Sequence, residues 1–405
     1  MPTFEFSTPG GVSSSQKDDL FQNLGAKIKV VGIGGAGGNA VNSMIDENIG
    51  GVEFIAINSD FQDLQQSKAQ RIIQIGKNIA KGLGVGGDPV LGSDCAKADQ
   101  NDIMEAVQGA DMVFVTAGMG GGTGTGASPV VAKLARESGA LTIAIVTKPF
   151  EFEADKRLVQ ADQGIKDLTQ EVDSIIVIPN DKLNEVQQIT GILESFKAAD
   201  NVLARAVRGI ADIIVGSGFI NVDFADVKKI MQESGGKALM GTGDGEGTSR
   251  AVEAAENAIT SPLLEDISID GSTGILINVT ASSNFTIDEL NEACNHIKAK
   301  ASSDVELIFG LVIDETMGEK VRITVIATGI DGSMKRPVRE EVSAEEVEED
   351  KHQVSFNLES AIDNETLSDE NASNGNGDGN DLDDLHPLGD DEHFEIPAFI
   401  RKPKK

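Results

Sequence analysis

Seven residues, Gly120-Gly-Gly-Thr-Gly-Thr-Gly126, constrain this chain more than any other segment. They follow an apolar run, Met112 to Ala117, with the character of a buried strand. They precede Ala127 to Arg136, which reads as a helix with Pro129 in its first turn, where a missing N–H costs little. A glycine-rich turn from a strand into a helix start lets backbone N–H groups approach an anion, and the helix dipole adds partial positive charge. Thr123 and Thr125 add hydroxyl donors. No lysine follows the glycines, so the P-loop pattern G-x-x-x-x-G-K-[ST] is excluded. A merely flexible turn fits poorly with five glycines interleaved with two threonines between apolar elements.

A strand–helix alternation runs from Lys27. Strands are expected at 28–33, 52–57, 72–75, 112–117, 141–147 and 174–178, and helices at 40–48, 102–109 and 154–171. Near-continuous apolar strands alternating with helices imply a parallel sheet covered on both faces. Residues 193–215 read as one long helix with an apolar stripe of Leu193, Phe196, Val202, Ala206, Ile210 and Ile213. Beyond it, strands are expected at 238–243, 274–281, 305–314 and 321–329, and helices at 249–260 and 287–301. The expected fold is α/β: a parallel-sheet nucleotide-binding domain (27–192), joined by the long central helix (193–215) to a smaller α/β domain (216–330). Residues 1–26 are polar and weakly patterned and read as a mobile arm. Residues 336–393 are rich in Glu, Asp, Asn, Ser and Gly and read as a disordered acidic linker. The last stretch, 394–405, is apolar and then basic; on an acidic tether it reads as a docking peptide.

The formal net charge is −32, which argues against non-specific binding to nucleic acid or to anionic lipid. The acid is concentrated: Glu340 to Glu392 holds 19 Asp and Glu against one base, Lys351. No apolar run reaches membrane-spanning length and no signal peptide follows Met1, so a cytosolic protein without membrane insertion is expected. Cys95 and Cys294 stand alone, which suggests inert thiols rather than a disulfide framework or a zinc site. Of the four histidines only His296 falls outside the tail, where a structural or surface role suits it. A Ser-His-Asp or Cys-His mechanism then lacks its base. Any chemistry has to run on carboxylates, backbone amides and a metal ion.

Two further glycine-rich stretches follow strands. Gly32-Ile-Gly-Gly-Ala-Gly-Gly-Asn39 contains G-x-G-x-x-G at Gly32, Gly34 and Gly37, the fingerprint of a dinucleotide site. That site also needs an acid about 20 residues on, at the end of the second strand. Here Asn58 ends that strand, Glu53 begins it and Asp60 lies beyond it. An NAD-dependent oxidoreductase resting on Gly32 to Gly37 stands as the alternative enzyme. The third stretch is Lys81-Gly-Leu-Gly-Val-Gly-Gly-Asp88. Three such loops on one sheet would line the same carboxyl edge and could surround a triphosphate.

These residues resemble the FtsZ family of bacterial tubulin-like cell-division GTPases. G-G-G-T-G-T-G is the tubulin/FtsZ signature. The likeness includes I-A-I-N-S-D at 55–60, V-T-K-P-F at 146–150, I-P-N-D-K-L at 178–183 and N-V-D-F-A-D-V at 221–227. It covers about Lys27 to Gly329 and returns at 394–405 with I-P-A-F. The resemblance implies a GTP-binding and GTP-hydrolysing protein that polymerises head to tail and forms the division ring, in the cytoplasm at midcell. Residues 27–192 would be the GTP-binding domain and 216–330 a C-terminal activation domain.

By the same resemblance, Gly34, Gly35, Ala36, Gly37, Gly38 and Asn39 would hold the nucleotide's phosphates and base side; Ala36 stands where many relatives have glycine. Gly121, Gly122, Thr123, Gly124, Thr125 and Gly126 would bind the α- and β-phosphates, and Gly84 to Gly87 would sense the γ-phosphate. Glu153 and Arg157 would contact ribose and phosphate. Asn180, Phe196 and Asp200 would hold guanine, Phe196 by stacking. A carboxylate suits guanine because it accepts from both N1–H and the 2-amino group, a donor pair that adenine lacks. Asn221, Asp223 and Asp226 would form a catalytic loop entering the neighbouring subunit's pocket, with Mg²⁺ held without a dedicated protein cage. Phe394, Ile396, Pro397, Phe399, Ile400 and Arg401 would contact membrane-tethering and division-regulating partners. The residues alone also allow plainer readings. Asp223 and Asp226 suit the N-cap and N3 positions of a helix, Glu153 and Arg157 form an i,i+4 pair, and a filament protein that binds GTP without hydrolysing it is the non-enzyme alternative.

Overall fold

The computed structural model describes residues 25–330, apart from 188–190, 216–217, 234–235, 265–270 and 302–304. Residues 1–24 of the expected arm, the acidic linker and the terminal peptide with Phe394 to Arg401 lie outside the described residues. In chain order the elements are β1 (Ile28–Ile33), α1 (Gly34–Asp46), β2 (Val52–Asn58), α2 (Phe61–Gln65), β3 (Arg71–Gln74), α3 (Pro89–Ala98), α4 (Gln100–Val107), β4 (Met112–Gly118), α5 (Thr123–Glu137), β5 (Leu141–Lys148) and α6 (Asp155–Glu171). They continue with β6 (Ser174–Pro179), α7 (Asn180–Gln187), α8 (Ile192–Ile214), α9 (Phe224–Glu233), β7 (Gly236–Glu246), α10 (Arg250–Ile259), β8 (Gly274–Ala281), α11 (Ile287–Lys300), β9 (Glu306–Ile313) and β10 (Lys320–Thr328).

The strands form one sheet in the order β3-β2-β1-β4-β5-β6-β7-β10-β8-β9. β1 to β6 are mutually parallel. β6 meets β7 through only three residue pairs, Ser174↔Gly236 to Ile176↔Ala238. β10 then runs antiparallel to both β7 and β8, and β9 lies parallel to β8. Neighbouring strands rotate by about 20–25°. Six steps separate β1 from β8, so the accumulated turn is roughly 120–150°. β8 and β9 nominally keep the direction of β1 to β6, yet the Ile220↔Leu311 bridge places the carboxyl half of β9 beside the segment that follows α8.

Side-chain alternation along β1 sorts the core into two layers. Val30 packs with Val41 and Met44 of α1 and with Val202 and Ile210 of α8. Val31 faces the other way, toward Cys95 of α3, Ile103 of α4 and Val131 of α5. Each fully buried aliphatic side chain contributes roughly 1.5–3 kcal/mol, so both faces hold the parallel sheet. A third cluster packs α10 and α11 against β8 and β10, with Ala254, Ala293, Ile277 and Ile323 at its centre.

α8 has 23 residues and is about 34 Å long. Val202, Ala206, Ile210 and Ile213 are buried, but Leu193 and Phe196 of the expected stripe are 80% and 42% exposed. The start of the helix lies outside the core. Its far end is fixed at the amino edge of the sheet. Arg208 donates to the Glu47 carbonyl at 2.5 Å, after the end of α1. Val215 fills the space over Gly51, where a Cβ would lie 2.0 Å from it, just before β2. α8 thus spans the sheet from one edge to the other.

Two helices begin four or more residues earlier than expected. α1 starts at Gly34 rather than residue 40, and α5 at Thr123 rather than residue 127, which makes Pro129 the seventh helical residue instead of a first-turn one. Glycine disfavours helix by about 1 kcal/mol per residue, but close packing overrides that preference. A Cβ on Gly126 would lie 1.9 Å from the Pro89 carbonyl of α3, and its N–H donates to Gly122 O at 3.0 Å.

Candidate active site

The carboxyl ends of β1, β2, β4 and β5 open into one cleft of about 490 Å³. All three glycine-rich loops line it, through Gly34 and Gly35, Gly84 and Gly87, and Gly121 and Gly122. α1 and α5 aim their amino ends into it. Neither has a side-chain N-cap bond or an acid in its first turn, so their leading N–H groups and dipoles are open to an anion. The two helix starts nearly touch. Gly34 has φ +72°, and a Cβ there would lie 2.9 Å from Gly124 N, so only glycine suits the position.

Most of the expected residues converge here. Ala36, Asn39, Thr123 and Gly124 line one end with the glycines just named. The Ala36 methyl group sits against Gly118, where a Cβ would come within 2.6 Å of it; the departure from glycine at 36 is matched by the absence of a side chain at 118. Four expected residues stand behind the cleft instead. Gly37 backs onto β4, where a Cβ would lie 2.5 Å from Thr116 O, and Gly126 backs onto α3. Thr125 Oγ1 is occupied by the Gly120 N–H at 2.8 Å. Gly38 borders a small adjoining recess with Asn42.

Asn180, Phe196 and Asp200 line the other end. Phe196 stands edge-on to Phe150 (centroids 5.5 Å, 84°) and to Phe152 (6.4 Å, 89°), which fixes its ring. Asn180 Oδ1 is buried without a hydrogen-bond partner, and an unsatisfied buried acceptor costs about 1–3 kcal/mol. Burial pushes the Asp200 carboxyl up to about 7. Both groups lack donors that a ligand could supply. Between the two ends, Glu153 Oε2 accepts from Arg157 Nη1 at 2.5 Å and Glu153 Oε1 from the Phe150 N–H at 3.0 Å.

The sequence reading assigns no role to Asp60 and Asp63, which line the cleft with Asn58. Asn58 donates to Asp63 Oδ2 at 3.1 Å, and Asp60 Oδ1 accepts from the Gln62 N–H at 2.9 Å. Their signal is their position, at the carboxyl end of β2 beside the glycine loops. Among the described residues the lining acids are Asp60, Asp63, Glu153 and Asp200, and Arg157 is the one lining base. A polyphosphate entering such a lining needs a cation. Among the described residues no group of three or more His, Cys, Asp or Glu could hold one unaided.

Asn221, Asp223 and Asp226 do not line the cleft; all three are exposed. Their loop is latched to the edge strand: Phe219 and Ile220 donate to Leu311 O at 2.7 and 3.1 Å, and the Leu311 N–H donates to Ile220 O at 3.0 Å. The Asp223 carbonyl accepts from Asp226 and Val227 at 3.0 and 3.3 Å, placing these acids at the N-cap and N3 positions of α9. Asn221 Oδ1 accepts from the Gly218 N–H at 3.1 Å. Asp200 and Ile214 are fourteen residues apart on α8, about 21 Å, and β2 spans a similar distance, about 20 Å over seven residues. No side chain bridges that gap within one chain.

The remaining polar candidates lie elsewhere. His296 meets Glu256 between α11 and α10. Cys95 is buried and Cys294 half-buried, and burial pushes both thiols up. β2 ends in Asn58, not in the acid that a dinucleotide site requires.

The GTPase domain of the tubulin/FtsZ family matches residues 27–188, and the C-terminal domain of the FtsZ family matches residues 236–331. The cell division protein FtsZ of Buchnera aphidicola subsp. Schizaphis graminum (strain Sg) is 46% identical over 381 residues, 93% of this chain and 97% of that protein. Among solved structures, an empty FtsZ dimer from M. jannaschii superposes with a TM-score of 0.75 at 42% identity, over 79% of this chain and 94% of the other. CetZ2 from Haloferax volcanii, solved as a GTPγS-bound protofilament, shares the fold with a TM-score of 0.65 at 23% identity, over 76% of this chain and 95% of its own. With both domains matched in order and nearly the whole chain aligned to a relative, the chain belongs to the FtsZ family of GTP-binding, GTP-hydrolysing cell division proteins.

Proposed function

We propose that GTP lies in the cleft and is hydrolysed only when a second copy brings Asn221, Asp223 and Asp226 to its γ-phosphate. The observation that carries this reading is that the acids' loop is held at the far end of α8, where the Val222 N–H donates to Ile213 O at 3.1 Å, about 20 Å along that helix from Asp200. The cleft's own acids support it too, since Asp60 caps α2 and Asp63 is held by Asn58. Guanine stacks on Phe196, with Asn180 and Asp200 as acceptors for its edge. The amino ends of α1 and α5 take the phosphates, and Glu153 and Arg157 take ribose and phosphate. Asp60 and Asp63 lie nearest the glycine loops, and a bound Mg²⁺ would supply the positive charge that offsets repulsion between the lining acids and the phosphates. Phosphoryl transfer needs mainly positioning and charge neutralisation, so Asp223 and Asp226 suffice to orient the attacking water without a histidine.

A contact between the loop face of one copy and the cleft face of the next is heterologous, and heterologous contacts that do not close into a ring propagate into open filaments. The protein then polymerises head to tail, and hydrolysis weakens each joint. The terminal peptide recruits membrane-tethering and division-regulating proteins, which holds the filament at the midcell septum on the cytoplasmic side. No helix among the described residues is long and apolar enough to cross a membrane.

Phosphate release measured against protein concentration tests the reading. GTP turnover per subunit is expected to rise steeply above a threshold concentration. Constant turnover per subunit across the range contradicts a shared site.

A further inference from the structure

Two of the loops around the cleft meet at a buried pair of hydroxyls. Ser59 directly follows β2 and is fully buried. Thr123 opens α5 and lines the cleft. Ser59 Oγ lies 2.7 Å from Thr123 Oγ1, across 64 residues of chain. Both partners are held in place. On either side of Ser59, Asn58 donates to Asp63 and Asp60 caps α2. Thr123 packs between two glycines: a Cβ on Gly92 would lie 3.3 Å from Thr123 Cα, and one on Gly34 would lie 3.5 Å from Thr123 Cβ. A hydroxyl carries one proton and two lone pairs, so the pair holds two protons and the bond between them uses one. If Thr123 donates, the Ser59 proton is left without an acceptor, because Thr123 is the one partner of that hydroxyl among the described residues. An unpaired buried donor is costly. If Ser59 donates, its proton is satisfied and the Thr123 proton can point into the cleft. The second arrangement is favoured, and a hydroxyl that accepts a hydrogen bond becomes the stronger donor.

We propose that Ser59 is a positioning residue for phosphate binding: by donating to Thr123 Oγ1 it turns the Thr123 proton toward the nucleotide's phosphates. The proposal rests on the reading that GTP lies in the cleft with its phosphates at the amino ends of α1 and α5. Ser59 does not line the cleft and touches no ligand atom; it acts through Thr123. The chain of bonds runs from the Ser59 hydroxyl to Thr123 Oγ1, and from the Thr123 hydroxyl to a phosphate oxygen. No proton changes owner. The group served is the phosphate chain that GDP and GTP share, and not guanine, which belongs at the other end of the cleft with Asn180, Phe196 and Asp200.

Ser59→Ala in the full chain tests this, with affinities for GTP, GDP and guanosine measured together. GTP and GDP are each expected to bind about tenfold more weakly, the equivalent of about 1.4 kcal/mol. Guanosine, which offers no phosphate, should stay within about twofold. Ser59→Cys is close in size but a weak donor. It should lose about as much, which separates a missing donor from a small void. Thr123→Val keeps the branched shape and removes the receiving hydroxyl. Adding Ser59→Ala to it is expected to cost less than about twofold more, because the chain of bonds is already broken. Equal losses for guanosine and for the nucleotides make Ser59 a packing residue and overturn the proposal. So do unchanged GDP affinity in Ser59→Ala or Ser59→Cys, and losses that add fully to those of Thr123→Val. Failure of the cleft reading looks different, because the parent itself would then bind GDP no more tightly than guanosine.

Discussion

Asp226→Ala is expected to bind GTP as tightly as the parent and to hydrolyse it at least about 100-fold more slowly, the range for losing a positioned carboxylate. The two effects separate because Asp226 lines no part of the cleft. It sits exposed at the third position of α9, beyond the far end of α8. Binding depends on Gly34, Gly121, Asn180 and Asp200, none of which the substitution reaches. Stability should change little, since an N3 acid contributes about 0.3–1 kcal/mol through the helix dipole. Nucleotide affinity and single-turnover phosphate release, measured on one preparation, check both halves. A variant with turnover near the parent's removes Asp226 from the mechanism, and one that no longer binds GTP relocates it to the cleft.

Asp200→Ala should act on the opposite half. A carboxylate accepting two donors from guanine makes two charge-assisted bonds of about 1.5–3 kcal/mol each. Their loss is expected to raise the GTP dissociation constant by 100-fold or more, about 2.7 kcal/mol, and to abolish preference over ATP. The pH dependence follows from burial. In the empty cleft the carboxyl titrates at about 7, while the base needs it ionised. Above that pH guanine meets a ready carboxylate. Below it a proton has to leave first, so GTP affinity should fall about tenfold per pH unit. The phosphates titrate in the same range, and the Asp200→Ala variant, which keeps them but lacks the carboxyl, isolates the Asp200 part. A pH slope unchanged by the substitution assigns the titration to the nucleotide instead.

Much of this was legible in residue order. Parallel strands buried on both faces are continuous apolar runs, and the three glycine stretches announce where the backbone comes close to something. The boundaries were not legible, because glycine resists helix locally and only the contact of Gly126 with Pro89 shows that α5 begins inside the motif. That same contact explains why Gly126 and Thr125 support the cleft from behind, a distinction no spacing rule makes. α3 went unread despite Asp88 followed by Pro89, an N-cap and a first-turn proline; the Asp88 carboxylate accepts from the Val90 N–H at 2.9 Å. Leu193 and Phe196 fit the period of the α8 stripe, yet periodicity is silent on where a helix leaves its core. The separation of cleft and acids is a property of α8's length and of sheet twist, and neither is visible until the strand order is known.

The two inactive variants also provide the most direct test of a site divided between copies. Asp226→Ala keeps its cleft and lacks the catalytic acid; Asp200→Ala keeps the acid and lacks the guanine contact. In a head-to-tail array of both, about a quarter of the joints pair an intact cleft with an intact loop. Mixing equal amounts is therefore expected to restore GTP hydrolysis that neither variant shows alone. A mixture as inactive as its components would place the whole reaction within one chain and contradict the account.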